Sequence, residues 1–404
     1  VRNTLSPAMP GLAHPQGTRA KEDRSVLHSK TRYSYTRALS FRALLLAGVL
    51  ALGFAAVASA ASWINPAGGA WSNPANWDTG DVPDAAGESA VLPALSGGYQ
   101  VTLDMSPTLD AITIESGDAA LDVNGFSIAG AKLVNNSGTI RNFAGDYNSS
   151  QIRNLKGGTV SVAPGGTIRI TTGALWNAGT IVAAKEIHWA GNVSLTGGGA
   201  LVLNDTRLLD PNVDQDVTDQ FNRTMGIAPG TTLRGTGEIF KQNIENAGLI
   251  EADVAQSKDG GPEKVLWFNG TIRNNGTIRV VNGGHINVNR PAIFNANGLI
   301  TSGPGGGSLR LEMPFKMLGS IGALGGGCYT PPPTKGFIRA DGGDLEIVAG
   351  AMYEGRIQRG RGGGVLKMAH VTMQNVFVDA GAELHFRPVL IYPNPNRTDL
   401  DQPF

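Results

Sequence analysis

The chain has 404 residues with 33 Lys+Arg and 33 Asp+Glu, a balance that hides a split. Residues 1–42 carry eight basic side chains (Arg2, Arg19, Lys21, Arg24, Lys30, Arg32, Arg37, Arg42) against Glu22 and Asp23, which leaves 25 basic against 31 acidic, or −6, for the rest. Glycine, at 56 residues, is about twice its ordinary share and charged residues at 16% fall below the usual quarter; this disfavours a helix bundle, in which each interior Gly costs about 1 kcal/mol, and the single Cys328 excludes a disulfide scaffold or a Cys-based zinc site.

Residues 1–60 form a long leader. Arg37 and Arg42 precede the uncharged stretch Ala43 to Ala60, which ends in the small triplet Ala58, Ser59, Ala60. That order of charge, apolar run and small residues predicts a secretory signal peptide cut near Ala60. The rival, a membrane anchor, is weakened because many of the 18 residues are Ala, Gly or Ser, and the run is at the lower length limit for a span. The expected mature chain is secreted, extracellular or at the cell surface, has no membrane span, and carries the −6 charge. Nucleic acid is therefore excluded as a partner class, and Arg356, Arg359 and Arg361 among glycines read as an exposed basic corner.

The next segment, 61–129, is expected to be an aromatic cap with the first strands. It opens Trp63-Ile-Asn-Pro-Ala-Gly-Gly69-Ala-Trp71-Ser-Asn-Pro-Ala-Asn76-Trp77-Asp-Thr-Gly80-Asp-Val-Pro83 and leads into Tyr99-Gln-Val-Thr-Leu103. Trp63, Trp71 and Trp77 admit two readings. Flat aromatic faces could stack on a sugar, making them carbohydrate-binding candidates, or they could cover the first coil of a repeat structure, which every such array needs at its ends. The second reading is favoured.

From 130 to 386 two phrases recur. One is Gly-x-Ile with Asn ahead: Asn136-Ser-Gly138-Thr-Ile140, Asn177-Ala-Gly179-Thr-Ile181, Asn246-Ala-Gly248-Leu-Ile250, Asn274-Asn-Gly276-Thr-Ile278, Asn297-Gly298-Leu-Ile300 and, without the Asn, Gly158-Thr-Val160. The other alternates apolar and polar residues after Gly, as in Gly166-Thr-Ile-Arg-Ile170, Gly284-His-Ile-Asn-Val288 and Gly343-Asp-Leu-Glu-Ile347. Alternation marks strands with one buried face, and successive first phrases lie about 20–22 residues apart, a period that means stacked coils rather than a sandwich. The fold class is all-β, a right-handed parallel β-helix (solenoid). Gly is expected to supply positive φ at the corners, and the Asn to stack as a hydrogen-bonded ladder rather than to bind ligand. Residues 387–404 are read as an irregular tail.

The Trp, Gly-x-Trp, Asn-Trp, Gly-x-x-Pro opening followed by these rungs resembles secreted bacterial β-solenoid surface proteins and exoproteins of the autotransporter-like group. The resemblance spans about 61–386 and implies a surface architecture, not a reaction. Nothing after Phe386 resembles that group's sorting tag, anchoring helix or outer-membrane barrel, so the expectation is free secretion or a truncated gene product.

Chemistry is sparse. Asp210, Asp214, Asp216 and Asp219 are the best metal candidates, but they lack the Gly and closing Glu of a calcium loop, and a solvated acidic loop is the plainer reading. Glu238, Glu245, Glu251 and Asp253 form a second acidic group. His188, His285, His370 and His385 show no metal-ligand spacing, and no catalytic residue or cofactor is assigned. Insertions near 204–226, 255–264 and 313–336 interrupt the register and are expected as outside loops. The expected function is a structural or adhesive protein without catalytic activity, its partners surface or matrix polysaccharide or other surface proteins. The alternative is a carbohydrate-active β-helix enzyme, a lyase or hydrolase, or a carbohydrate-binding protein.

Overall fold

The computed structural model describes residues 60–128, 133–147, 152–170, 173–189, 191–209, 223–240, 243–255, 264–289, 293–295, 297–311 and 336–386. The leader, the four aspartates at 210–219, Cys328 and the tail 387–404 lie outside the described residues, as do most of the three insertions. The chain divides into Val1–Val57 and Ala58–Phe404; the description concerns the second unit.

Among the described residues nearly every regular element is a strand, with a single 3-10 turn at Pro74–Asn76. The strands pair in parallel, each with its counterpart one coil away, which defines a parallel β-solenoid. A representative coil runs Ile152–Asn154, Thr159–Val162, Thr167–Ile170, one strand on each of three faces. The next coil repeats this as Ala174–Trp176 and the long strand Thr180–Trp189, which covers the second and third faces. Thr-Ile and Thr-Val pairs suit these strands because β-branched side chains pack well on a pleated surface, and burial alternates as the sequence does, with Val160 and Val162 inward, Thr159 and Ser161 outward.

Register makes the inside a set of columns. On the second face one column runs from Gly69 through Val101, Leu121, Ile140, Val160 and Ile181 to Leu201. It continues through Leu233, Ile250, Ile278, Ile300 and Ile338 to Ile357 and Val378. From Val101 to Ile357 every member is buried, and a fully buried side chain of this size contributes about 1.5–3 kcal/mol. The Ile of the first phrase therefore stacks inside, as its recurrence predicts. On the third face Ile168, Ile187, Leu208, Ile239, Phe268 and Val288 form a matching column.

Stacking begins at residue 61. Ala61–Ser62, Ser89–Leu92 and Ala111–Ile114 form one sheet with Leu133–Asn136 and Ile152–Asn154. The aromatic segment is thus the first coil of the same stack. Among the described residues a third-face strand first appears at Gly145–Tyr147.

Corner glycines supply positive φ as expected, but those of the first phrase are needed for another reason. Gly138, Gly179, Gly248 and Gly276 do not have positive φ; they are required by close approach, since a Cβ at Gly276 would lie 2.2 Å from the carbonyl oxygen of Gly248 in the coil before. Positive φ is found instead one residue ahead of the second phrase, as at Gly283 (φ 76°), where the chain turns before Gly284 enters its strand.

Candidate functional site

The Trp cluster is built by local turns. Asn73 caps the Pro74–Asn76 turn through its side chain, Asn65 donates to Asn76 Oδ1 at 2.9 Å, and Asn76 donates to the Ala70 carbonyl at 3.0 Å. These bonds bring the three indoles together inside the first coil. Trp77 meets Trp63 edge-on at 5.1 Å and Trp71 at 4.7 Å between ring centroids, an arrangement worth about 0.5–1.5 kcal/mol per pair beyond area burial. Each indole N–H has a carbonyl partner: Trp63 with Asn65, Trp71 with Pro83, Trp77 with Trp71. Exposure is 0, 0 and 1% for Trp63, Trp71 and Trp77. Rings so enclosed present no open face for a sugar to stack on in this structure; they pack against one another within the first coil.

The repeated asparagines form two ladders at the corner between the first and second faces. Asn136 donates to Asn154 at 2.8 Å and Asn154 to Asn177 at 2.7 Å; Asn246 donates to Asn274 at 2.7 Å and Asn274 to Asn295 at 2.8 Å. Each also donates to a backbone carbonyl one coil on, such as Asn246 to Thr277 and Asn274 to Leu299. All six are buried. Both ladders start one coil after an isoleucine in the same position, Ile114 before Asn136 and Ile227 before Asn246. Gly158, Gly179 and Gly298 let the chain pass close to these side chains: a Cβ at each would lie 2.6 Å from Asn154 Oδ1, 2.8 Å from Asn154 Nδ2 and 2.2 Å from Asn274 Nδ2.

The acidic group Glu238, Glu245, Glu251, Asp253 does not converge. Glu238 is on the third face, Glu245 on the first and Glu251 on the second. Each carboxylate meets an arginine of a neighbouring coil: Arg207 with Glu238 at 3.2 Å, Arg273 with Glu245 at 3.4 Å, Arg279 with Glu251, and Arg234 with Asp253 at 2.7 Å. Lys264 pairs with Asp205 two coils back, and Lys367 with Asp344 in the coil before it. The lysine hydrogen bond is the first cause pulling the carboxyl pKa of Asp205, and likewise of Asp344, below its ordinary value. Asp104 is lowered chiefly by the hydroxyl of Ser72. Burial, then the charge of Glu115, pushes the Tyr99 phenol upward.

His188 contacts Glu186 at 3.1 Å, His385 contacts Glu383 at 2.8 Å, and His285 Nδ1 lies 2.5 Å from Ser308 Oγ. These are neighbours along a strand or across adjacent coils. Among the described residues no group of three His, Cys, Asp or Glu could hold a metal ion, and no helix is long and apolar enough to cross a membrane.

One feature was not legible in the repeat. On the first face the outward column Ala174, Ser194, Gly226, Glu245 is floored by small residues, and a groove of about 410 Å³ lies there, walled by Gly173, Asn192, Ser194, Thr224, Gly226 and Glu245. Asn192 Oδ1 accepts the Thr224 N–H at 2.8 Å. Half-buried Trp176 lies two residues along the strand from Ala174, on the same outward side. The signal available in sequence was the small residue at successive outward positions, which the two recurrent phrases do not cover.

Comparison with known protein families, with curated proteins and with solved structures finds no match for this chain. The class is defined by the coil stacking itself: a parallel β-solenoid with an indole-covered first coil.

Proposed function

We propose that the chain is exported, cut near Ala60, and serves outside the cell or at its surface as a non-catalytic structural or adhesive solenoid, as in the autotransporter-like group it resembles. The observation that carries this reading is how the charged side chains are used. Several arginines and lysines pair with carboxylates, mostly of an adjacent coil. General acid–base chemistry needs a side chain positioned within hydrogen-bond reach of the reacting group, whereas coil-to-coil pairing supports a stack that offers extended contact area. Its partners on this reading are surface or matrix polysaccharides or other surface proteins.

The carbohydrate-binding reading is favoured by the first-face groove, which hydroxyls, an amide and Glu245 line, with Trp176 farther along the same outward side of the Ala174–Trp176 strand. A panel of acidic and neutral polysaccharides, assayed for both pull-down and chain shortening, separates the readings. The structural reading expects neither. Binding abolished by Trp176→Ala would move the assignment to a carbohydrate-binding protein, and shortening of any polymer would make it an enzyme.

A further inference from the structure

A cavity of about 90 Å³ opens in the first coil, and its wall includes Ala61, Thr79, Asp81, Glu88 and Ser89. Ala61 is buried while Ala60 is exposed. The position of Ala61 is fixed: its strand pairs with Ala90 and Val91, Ser62 N–H donates to Asp78 at 2.8 Å, and Trp63 N–H donates to Val91 at 2.9 Å. The two carboxylates are also fixed. Glu88 Oε2 accepts the backbone N–H groups of Asp84 and Ala85 at 2.8 and 2.9 Å, and Asp81 Oδ1 accepts that of Val82 at 3.0 Å. No lysine or arginine lines this cavity, whereas carboxylates such as Glu238, Glu251 and Asp253 have basic partners.

We propose that this cavity receives the α-ammonium group of Ala61 once the leader is removed, so that processing itself completes the first coil. The inference rests on the export reading. A peptidase hydrolyses the Ala60–Ala61 bond: the water's hydroxyl goes to the Ala60 carbonyl and a hydrogen to the Ala61 nitrogen, which takes a further proton from solvent. The uncut chain has a neutral amide at this point. The cut chain has a cation on Ala61, which lines the same cavity as Asp81 and Glu88, and attraction between opposite charges would hold it there. Cleavage would therefore pin the strand that carries Trp63 against the rest of the coil.

The test uses the chain recovered after export. Intact mass places the cut, and a start other than Ala61 sinks the export reading together with this one. With the start at Ala61, selective acetylation of the α-amine is expected to speed amide hydrogen exchange at Ser62 and Trp63 about tenfold, the equivalent of one pKa unit of interaction. The Asp81→Asn, Glu88→Gln double variant should lose that difference while its Trp fluorescence stays that of enclosed indoles. Unchanged exchange on acetylation, or a difference that survives in the double variant, overturns the pocket assignment and leaves the cut site standing.

Discussion

The two ends of the described stack carry the same kind of residue and treat it differently. In the first coil Trp63, Trp71 and Trp77 are at most 1% exposed. In the last, Val378 and Phe386, which continue the inner columns of Ile357 and Met368, are 46 and 59% exposed. Inward pointing therefore does not bury a side chain in a solenoid; a neighbour on both sides does. The first coil supplies its own second neighbour by folding three indoles back on themselves through Asn65, Asn73 and Asn76.

Replacing the residue that joins the indoles should break this contrast most severely. Trp77 touches both other rings, so Trp77→Ala is expected to cost about 3–5 kcal/mol, as for other large-to-small core changes. Phe386→Ala should cost less than about 1 kcal/mol, because most of its surface is already wet. Solenoids unfold by parts rather than all at once, so the measurement is hydrogen exchange resolved by coil. Equal losses at the two ends would refute the idea that cover, not residue type, sets the stability there.

The asparagine ladders allow the same comparison between a middle and an end. Asn274 accepts from Asn246, donates to Asn295 and donates to the Leu299 carbonyl. Asn274→Ala leaves buried partners unpaired and should cost about 2–3 kcal/mol. Asn136 heads its ladder, and its own Oδ1 is buried without a partner, so Asn136→Ala should cost about 1 kcal/mol. Denaturant titration followed by exchange at the neighbouring amides ranks the two; the opposite order would mean that the ladders are not read from their middles.

Close approach gives the next contrast. Gly276→Ala puts a methyl 2.2 Å from the Gly248 carbonyl oxygen and should cost about 1–3 kcal/mol in forced backbone shift. Gly117 lacks positive φ and has nothing within 4 Å of its would-be Cβ, so Gly117→Ala should be neutral or stabilise by about 0.4–1 kcal/mol through the unfolded chain. Melting temperatures of the two variants decide it.

What could be read beforehand follows from the same geometry. The Ile of the first phrase was legible because a period of two within a strand and about 20–22 between strands leaves only one stacking. The ladder was legible in outline, but two of its members were not. Asn154 stands four residues ahead of Gly158 instead of two, because the intervening turn uses Gly157 at φ 89°. Asn295, not Asn297, is the buried member in its coil; Asn297 stays outside, its side chain 3.5 Å from Asn275. Positive φ at corner glycines such as Gly283 was legible; the close-approach role of Gly138, Gly179, Gly248 and Gly276 was not, since a sequence shows where a side chain is missing but not whether φ or a neighbouring carbonyl requires it. The acidic group misled for a related reason: Glu238, Glu245 and Glu251 are near in sequence, yet one coil turns them onto three faces.

The smallest expected effect separates carboxylates held by charge from one held by a neutral donor. Asp205 and Asp344 are lowered first by lysine, Asp104 first by Ser72. For all three the folded pKa lies below the ordinary 3.8, so the folded state binds fewer protons than the unfolded one. Their contribution is fully present above that unfolded value and is lost as pH falls through the folded values. These groups are largely solvent-accessible, and screening keeps each contribution to a few tenths of a kcal/mol. Salt then discriminates between them. At about 1 M ionic strength, where the screening length is about 3 Å, the acid-dependent loss at Asp205 and Asp344 should shrink, while that at Asp104 should persist because its partner carries no charge. Carboxyl titrations followed by NMR at low and high salt measure this directly. Equal salt sensitivity at Asp104 and Asp344 would show that the hydroxyl of Ser72 is not what holds Asp104.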